Sequence, residues 1–247
     1  MSWGAAGPVP AILAWICDAM GIRLGTHPNL QTGDPEDLNF TRSIKKIALR
    51  NFHSGQPFAV CPRRLRQFER AVVKFHRGVG SRHGLWGWKF PETYLLAPFV
   101  AEALPRSRWI HLVRDGRDVS FKNHLTDDPT RRLGRALLRH VGVLDHPHHV
   151  QAARSWEFQV RAFTEYRAQI DHISILELRF EQLLEDPESC IARLSEFLEA
   201  DCAEPVREWI SVHIKEEKLA QYLGEDARKV REIEDAIGPT LKIFGYL

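Results

Sequence analysis

Apolar and polar positions along the chain alternate between short continuous apolar runs and longer stretches of helical period. Residues 10–21 read as a short buried helix from Pro10, with Gly21 as its stop. Residues 36–52 and 62–77 carry a helical and rather basic pattern. WGWKF, 86–90, reads as a short aromatic strand or loop. Pro91 stands where a helix would start, and the pattern runs on to Leu104 with a kink or break expected at Pro98. RWIHLV, 108–113, is an apolar run bounded by turn signals, the mark of a strand covered on both faces. A helix is expected after Asp115, another over 129–142, and a long one from His146 to about Arg167. HISILEL, 172–178, predicts a second strand; Pro187 opens a helix through Phe197, and helices follow to the C-terminus. Strands alternating with helices predict the α/β class with a parallel sheet, whose ligands bind at the carboxyl ends of the strands.

Composition narrows this picture. The chain has 247 residues, 44% apolar and 27% charged, which suits one globular domain over 1–247. A formal net charge of +2 excludes a bulk nucleic-acid binder, so anion recognition is local. Cys17, Cys61, Cys190 and Cys202 form no C-x-x-C pair and read as reduced thiols of a cytoplasmic protein, not as a disulfide or zinc framework. No run approaches the roughly 18 apolar residues of a membrane span. VPAILAWI, 9–16, lacks a basic leader. His146, His148 and His149 cluster without acidic or cysteine ligands at matching spacing, so they read as a polar loop and helix start, and no metal is expected.

The charge at the end of the first predicted strand is the feature that asks for an explanation. In WIHLVRDGRDVSFKNH, 109–124, the apolar run stops at Arg114, and two arginines and two aspartates fall within five residues around Gly116. A guanidinium fork at a strand end, beside a helix start with open N–H groups, suits a phosphate. Asp115 and Asp118 would sit in the cap and first turn, which keeps them from simply cancelling the arginines. The same four charges also suit a solvated salt-bridge network.

HLVRDGRDVSF resembles the 3′-phosphate-binding segment of the sulfotransferases that use PAPS, 3′-phosphoadenosine 5′-phosphosulfate. WGWKFPETYLLAPFVAEALPRSRWIHLVRD is similar to that family's tryptophan–lysine–proline segment, following helix and phosphate strand. ILELRFEQLLEDPESCIARLSEFLE, 175–199, resembles its arginine–tyrosine–glutamate element and the helix after it, and GPTLKIFGYL resembles its usual ending. The collinear likeness covers residues 84–199. It implies a P-loop-NTPase-like three-layer fold, with a short central parallel sheet flanked by helices and helix-rich overall. It also implies PAPS as donor co-substrate, no metal, and an acceptor that is a carbohydrate, a lipid or a small molecule bearing a hydroxyl or amine. No nucleic-acid partner and no stable membrane insertion are expected.

Carried over residue by residue, the likeness assigns the 3′-phosphate to Arg114, with Lys122 standing where the family has serine and Ser120 two residues away. Arg179, before Phe180-Glu181, falls at the family's arginine and is grouped with the donor-binding residues, Glu181 being structural. Lys89 matches the lysine that would face the sulfonate or leaving phosphate; its alternative is a lysine snorkelling past Trp86 and Trp88. For the base, His27 is the nearest titratable group to the family's position, with Glu36 and Asp37 as rivals, either of which could cap a helix instead. Trp156 would pack in the core or line an acceptor cleft.

The 5′-phosphosulfate loop departs from the family. SWGAAGPVPAIL, 2–13, keeps Gly4 and Gly7, but its usual cation and hydroxyls are replaced by alanine, Pro8 and Val9. Pro8 and Pro10 remove two N–H donors, and too few residues precede Gly4 for the strand that feeds such a loop. A truncated form of a working enzyme and a divergent member that has lost normal donor binding both fit this stretch; a chain complete as given is expected to bind PAPS weakly, and a non-catalytic protein that keeps only the 3′-phosphate site is the alternative. A phosphoryl-transferring P-loop enzyme is excluded by the absence of G-K-[ST].

Overall fold

In the computed structural model, residues 10–25, 27–28, 35–80, 84–124, 126–202 and 219–247 are described. Helix α1 (Pro10–Ala19) leads to a two-residue antiparallel ladder of β1 (His27–Pro28) and β2 (Pro35–Glu36). Helices α2 (Leu38–His53) and α3 (Pro62–Val79) follow, then a 3₁₀ turn (Pro91–Leu96), α4 (Ala97–Ala103) and strand β3 (Arg108–Val113). After β3 come α5 (Gly116–Ser120), α6 (Arg132–His140), α7 (His148–Arg167) and β4 (Ser174–Arg179). Helices α8 (Phe180–Glu185) and α9 (Pro187–Leu198), a 3₁₀ turn (Gln221–Gly224) and α10 (Ala227–Ile243) complete the described chain.

Local chemistry sets these boundaries. Asp37 caps α2 by accepting from the Phe40 amide at 2.8 Å, Asp186 caps α9 through the Ser189 amide at 3.1 Å, and Pro62 and Pro187 open their helices where a missing N–H costs nothing. Pro98 produces a break: the 3₁₀ turn ends at Leu96, and the proline sits in the first turn of α4. The helix expected over 129–142 starts only at Arg132. Asp128 instead folds a turn, its Oδ1 accepting from the Thr130 amide at 2.8 Å and the Thr130 hydroxyl at 2.6 Å.

Strands β3 and β4 pair in parallel, from Arg108 opposite Ser174 to Val113 opposite Arg179. The period-2 alternation of side chains divides them between two helical layers. Ile110, Leu112, Leu176 and Leu178 face a core built with α1, α8 and α9. Val113 faces Ala153, Trp156 and Val160 of α7, backed by Ile233, Ile237 and Leu241 of α10. On that same side Trp109 and His111 pack on Phe163, with ring centroids 5.9 and 4.2 Å apart. Helices α2, α3 and α4 bury a separate aromatic cluster around Phe40, Phe68, Phe75 and Phe99, each such ring contributing on the order of 1.5–3 kcal/mol. No helix among the described residues is long and apolar enough to cross a membrane.

Candidate active site

Because the parallel register ends with Val113 beside Arg179, the chain leaves both strands at the same level. Arg114 and Phe180 therefore meet, the guanidinium lying 4.6 Å from the ring centroid. Arg114 Nη2 donates to Asp118 Oδ2 at 2.8 Å, and the Trp156 indole donates to the Arg114 carbonyl at 3.0 Å. Gly116 is required by close approach: a Cβ there would lie 2.7 Å from the Trp156 ring. Asp115 caps α5 through the Arg117 amide at 2.8 Å, while its own amide donates to Glu181 Oε1 at 2.9 Å.

The aspartates do more than cap. Arg117 forks onto Asp115, with Nη2 to Oδ2 at 2.7 Å, and reaches Glu234 Oε1 at 2.9 Å and the Tyr246 carbonyl at 2.7 Å. Burial opposes its charge, and the bonds to Asp115 and Glu234 more than offset that. Glu181 also accepts from the Tyr246 hydroxyl at 3.0 Å, and burial pushes its carboxyl up. The expectation that the aspartates leave the arginines unneutralised is thus corrected, since each arginine holds one of them. Of the two arginines, Arg117 is locked into the scaffold of the C-terminal segment, whereas Arg114 lines an open cleft.

That cleft has a volume of about 1620 Å³. Lys89, Arg114 and Lys122 line it together, with Leu13, Ala14 and Cys17 of α1 and the aromatic walls of Trp86, Trp88, Phe90 and Trp109. Lys122 Nζ donates to Gln221 Oε1 at 2.7 Å on an exposed rim. Trp156 fits both of its expected places, being buried in the core and forming part of the cleft wall.

Other expected site residues lie elsewhere. Ser120 is fully buried, its hydroxyl donates to the Gly116 carbonyl at 2.6 Å, and it is not part of the cleft wall. Arg179 donates to the Phe244 carbonyl and lies 5.3 Å from the Tyr246 ring, holding the C-terminal turn away from the cleft wall. Glu181 is structural as expected, accepting from the amide of Asp115 at the start of α5 and from the Tyr246 hydroxyl. His27 and Glu36 are opposite each other in the β1–β2 ladder, their side chains outside the described residues, and Asp37 caps α2. Gly4 and Gly7 also lie outside the described residues.

The sequence reading missed a polar group on the same cleft. Glu92 is 2% exposed, its Oε1 lies 3.3 Å from Lys45 Nζ, and burial pushes its carboxyl up. Tyr94, His124, Thr126 and Asp127 line the wall beside it. The helix expected after Asp115 ends at Ser120, and Lys122, Asn123, His124, Thr126 and Asp127 beyond it line the cleft, a placement that no residue pattern announces.

Residues 2–204 match the family model described as the sulfotransferase family. The chain belongs to that family. No curated protein and no solved structure matches it. The P-loop-like fold of the sulfotransferases accounts for the parallel strand pair with helices on both faces. The cleft runs along the length of β3, from Arg108 to Arg114.

Proposed function

We propose that this sulfotransferase moves the sulfonate of PAPS to a hydroxyl, or an amine, of a carbohydrate, lipid or small-molecule acceptor. The observation that carries the reading is the convergence of Lys89, Arg114 and Lys122 on one cleft along β3, with Arg114 at the end of that strand. Arg114 and Lys122 supply the positive charge for the 3′-phosphate, and Lys89 supplies charge for the leaving phosphate, where negative charge grows in the transition state. The aromatic walls offer flat apolar surface for an adenine ring. Gly4 and Gly7 precede α1 in the sequence, and Leu13, Ala14 and Cys17 of α1 line the same cleft. His27 and Glu36 stay candidates for the base on the strength of the likeness.

A second reading, a sulfotransferase-fold protein that binds the nucleotide without turnover, is favoured by GAAGPVPA, 4–11, which lacks the loop's usual cation and hydroxyls. Incubation with [³⁵S]PAPS and 4-nitrophenol, an N-acetylglucosamine oligomer or a long-chain alcohol decides between them. Label on an acceptor supports the enzyme. PAP binding without label on any acceptor supports the second reading, and absence of PAP binding refutes both.

A further inference from the structure

Helices α2 and α3 together carry ten lysines and arginines and a single carboxylate, Glu69. That is a balance of +9 within a chain of net charge +2, so the remaining residues carry −7. Two of the ten have local work. Lys45 lines the cleft and pairs with Glu92, and Arg64 turns to Asn51 and to Cys61 Sγ, 3.1 Å from its Nε.

The helical period gathers the other eight on one face. On α3, Arg63, Arg66, Arg70, Lys74 and Arg77 follow one another at three and four residues, a stripe about 21 Å long at 1.5 Å per residue. On α2, Arg42, Lys46 and Arg50 repeat every four residues. All eight are exposed, and among the described residues none is paired with a carboxylate. Packing fixes how the two stripes lie. Phe40 stacks on Phe75 with centroids 4.6 Å apart where α2 begins and α3 finishes, and Arg50 Nη1 donates to Gln67 Oε1 at 2.9 Å toward the opposite end. The helices are therefore antiparallel neighbours, and both stripes point away from the core around Phe40, Ile44, Phe68 and Phe75.

A groove of about 350 Å³ runs between them, lined by Arg42, Lys46 and Lys74 with the polar side chains of Asn39, Ser43 and Gln67. Phe75 on its floor packs against Trp86 and Trp88 of the cleft wall, so groove and cleft open on the two sides of one aromatic layer. A basic face two helices wide suits an extended anionic surface better than one small anion. Phe40, Phe52, Phe68 and Phe75 are all buried, so none of these rings stands out to stack a nucleic-acid base. What these helices do expose is apolar: Leu38, one turn before Arg42, and Val73, three residues after Arg70, are 61% and 49% exposed. A soluble polyanion makes no use of them, whereas the apolar boundary beneath lipid headgroups does.

We propose that this face of α2 and α3 docks the protein on membrane leaflets rich in anionic phospholipid, with one headgroup seated in the groove. The eight cations meet the phosphates and carboxylates of the headgroups, as clustered basic residues on a helix do. The negative balance of the remaining chain is repelled by the same leaflet, so the field turns the basic face toward it before contact. The contact is adsorption, since no helix among the described residues is long and apolar enough to cross a bilayer. It does not depend on the donor being PAPS.

Sedimentation with vesicles of two parts phosphatidylcholine to one part phosphatidylserine tests the docking. Wild type is expected to bind them at about 0.1 M salt and to be released at about 1 M, as the screening length falls from about 10 Å to about 3 Å. It should not bind phosphatidylcholine alone. A cation near such a surface contributes about fivefold to partitioning, so Arg66→Gln with Arg70→Gln and Lys74→Gln is expected to weaken binding roughly 100-fold, and each single substitution about fivefold. The circular dichroism spectrum and PAP affinity should stay those of wild type. Arg228→Gln with Lys229→Gln and Arg231→Gln removes the same charge from exposed positions of α10 and should leave vesicle binding nearly unchanged. Wild type that stays in the supernatant, that binds phosphatidylcholine equally well, or that the α10 substitutions weaken as much as the α3 substitutions overturns the proposal. A heparin oligosaccharide or a DNA duplex that binds wild type but not the α3 variant, with no binding to either vesicle, also overturns it and assigns the face to a soluble polyanion.

Discussion

Replacing Arg114 by alanine perturbs two things at once, and the structure allows them to be separated. A charge-assisted bond from the guanidinium to a phosphate contributes about 1.5–3 kcal/mol. At about 1.4 kcal/mol per tenfold, its loss weakens PAP binding roughly 12- to 140-fold. The same substitution also orphans Asp118, which is 2% exposed and holds Arg114 Nη2 at 2.8 Å. Breaking a buried pair from one side costs about 3–5 kcal/mol. The Tyr222 amide still donates to Asp118 Oδ1 at 2.9 Å, so a cost near the lower end is expected. That is a large share of a typical domain's ~5–15 kcal/mol. The clean variant is Arg114→Ala with Asp118→Asn, which removes the orphaned charge. Urea unfolding should show the double variant more stable than Arg114→Ala, and calorimetry should show both with PAP affinity reduced by the same factor. A folded double variant that binds PAP within twofold of wild type would refute the reasoning.

Three further outcomes follow from the geometry. Lys89→Ala is expected to lower kcat more than it weakens PAP binding, because leaving-group charge develops mainly in the transition state; an unchanged kcat removes Lys89 from the mechanism. Gly116→Ala forces a Cβ to within 2.7 Å of Trp156, and overpacking of this kind costs about 1–3 kcal/mol, read as a lower urea midpoint; an unchanged midpoint contradicts the packing. Burial raises the folded pKa of Glu92, so the folded protein keeps that proton to higher pH than the unfolded chain, and this contribution to stability is lost as pH rises from about 4.3 through the folded value. The stability of wild type relative to Glu92→Gln is therefore expected to be less favourable at pH 7 than at pH 4.5, and the opposite trend counts against a desolvated carboxyl.

The parts of the fold with a periodic or punctuated signal could be read from the sequence. RWIHLV and HISILEL became β3 and β4 because uninterrupted apolar runs between turns have few other ways to be buried. Pro91 and Pro187 marked element starts because proline fixes φ and lacks a donor. The site was harder. Arg114, Lys89 and Lys122 could be gathered from the likeness to a family, and the structure does place them on one cleft. That Ser120 turns inward to Gly116 follows from α5 being a single short turn, which no residue pattern announces. That Arg179 and Arg117 hold the C-terminal segment depends on contacts 65 and 129 residues apart in sequence. Such separations carry no periodic signal, so charge alone left those arginines divided between ligand binding and scaffold. That His124 and Asp127 share a cleft wall with Tyr94 was invisible for a related reason: it joins segments far apart in sequence.

The central claim is that the cleft along β3, lined by Lys89, Arg114 and Lys122, is where PAPS binds, and a crystal structure of the protein with PAP tests it most directly. The account predicts the 3′-phosphate within hydrogen-bonding distance of the Arg114 guanidinium and the 5′-phosphate facing Lys89. PAP bound outside this cleft, or no binding at millimolar concentration, would contradict it.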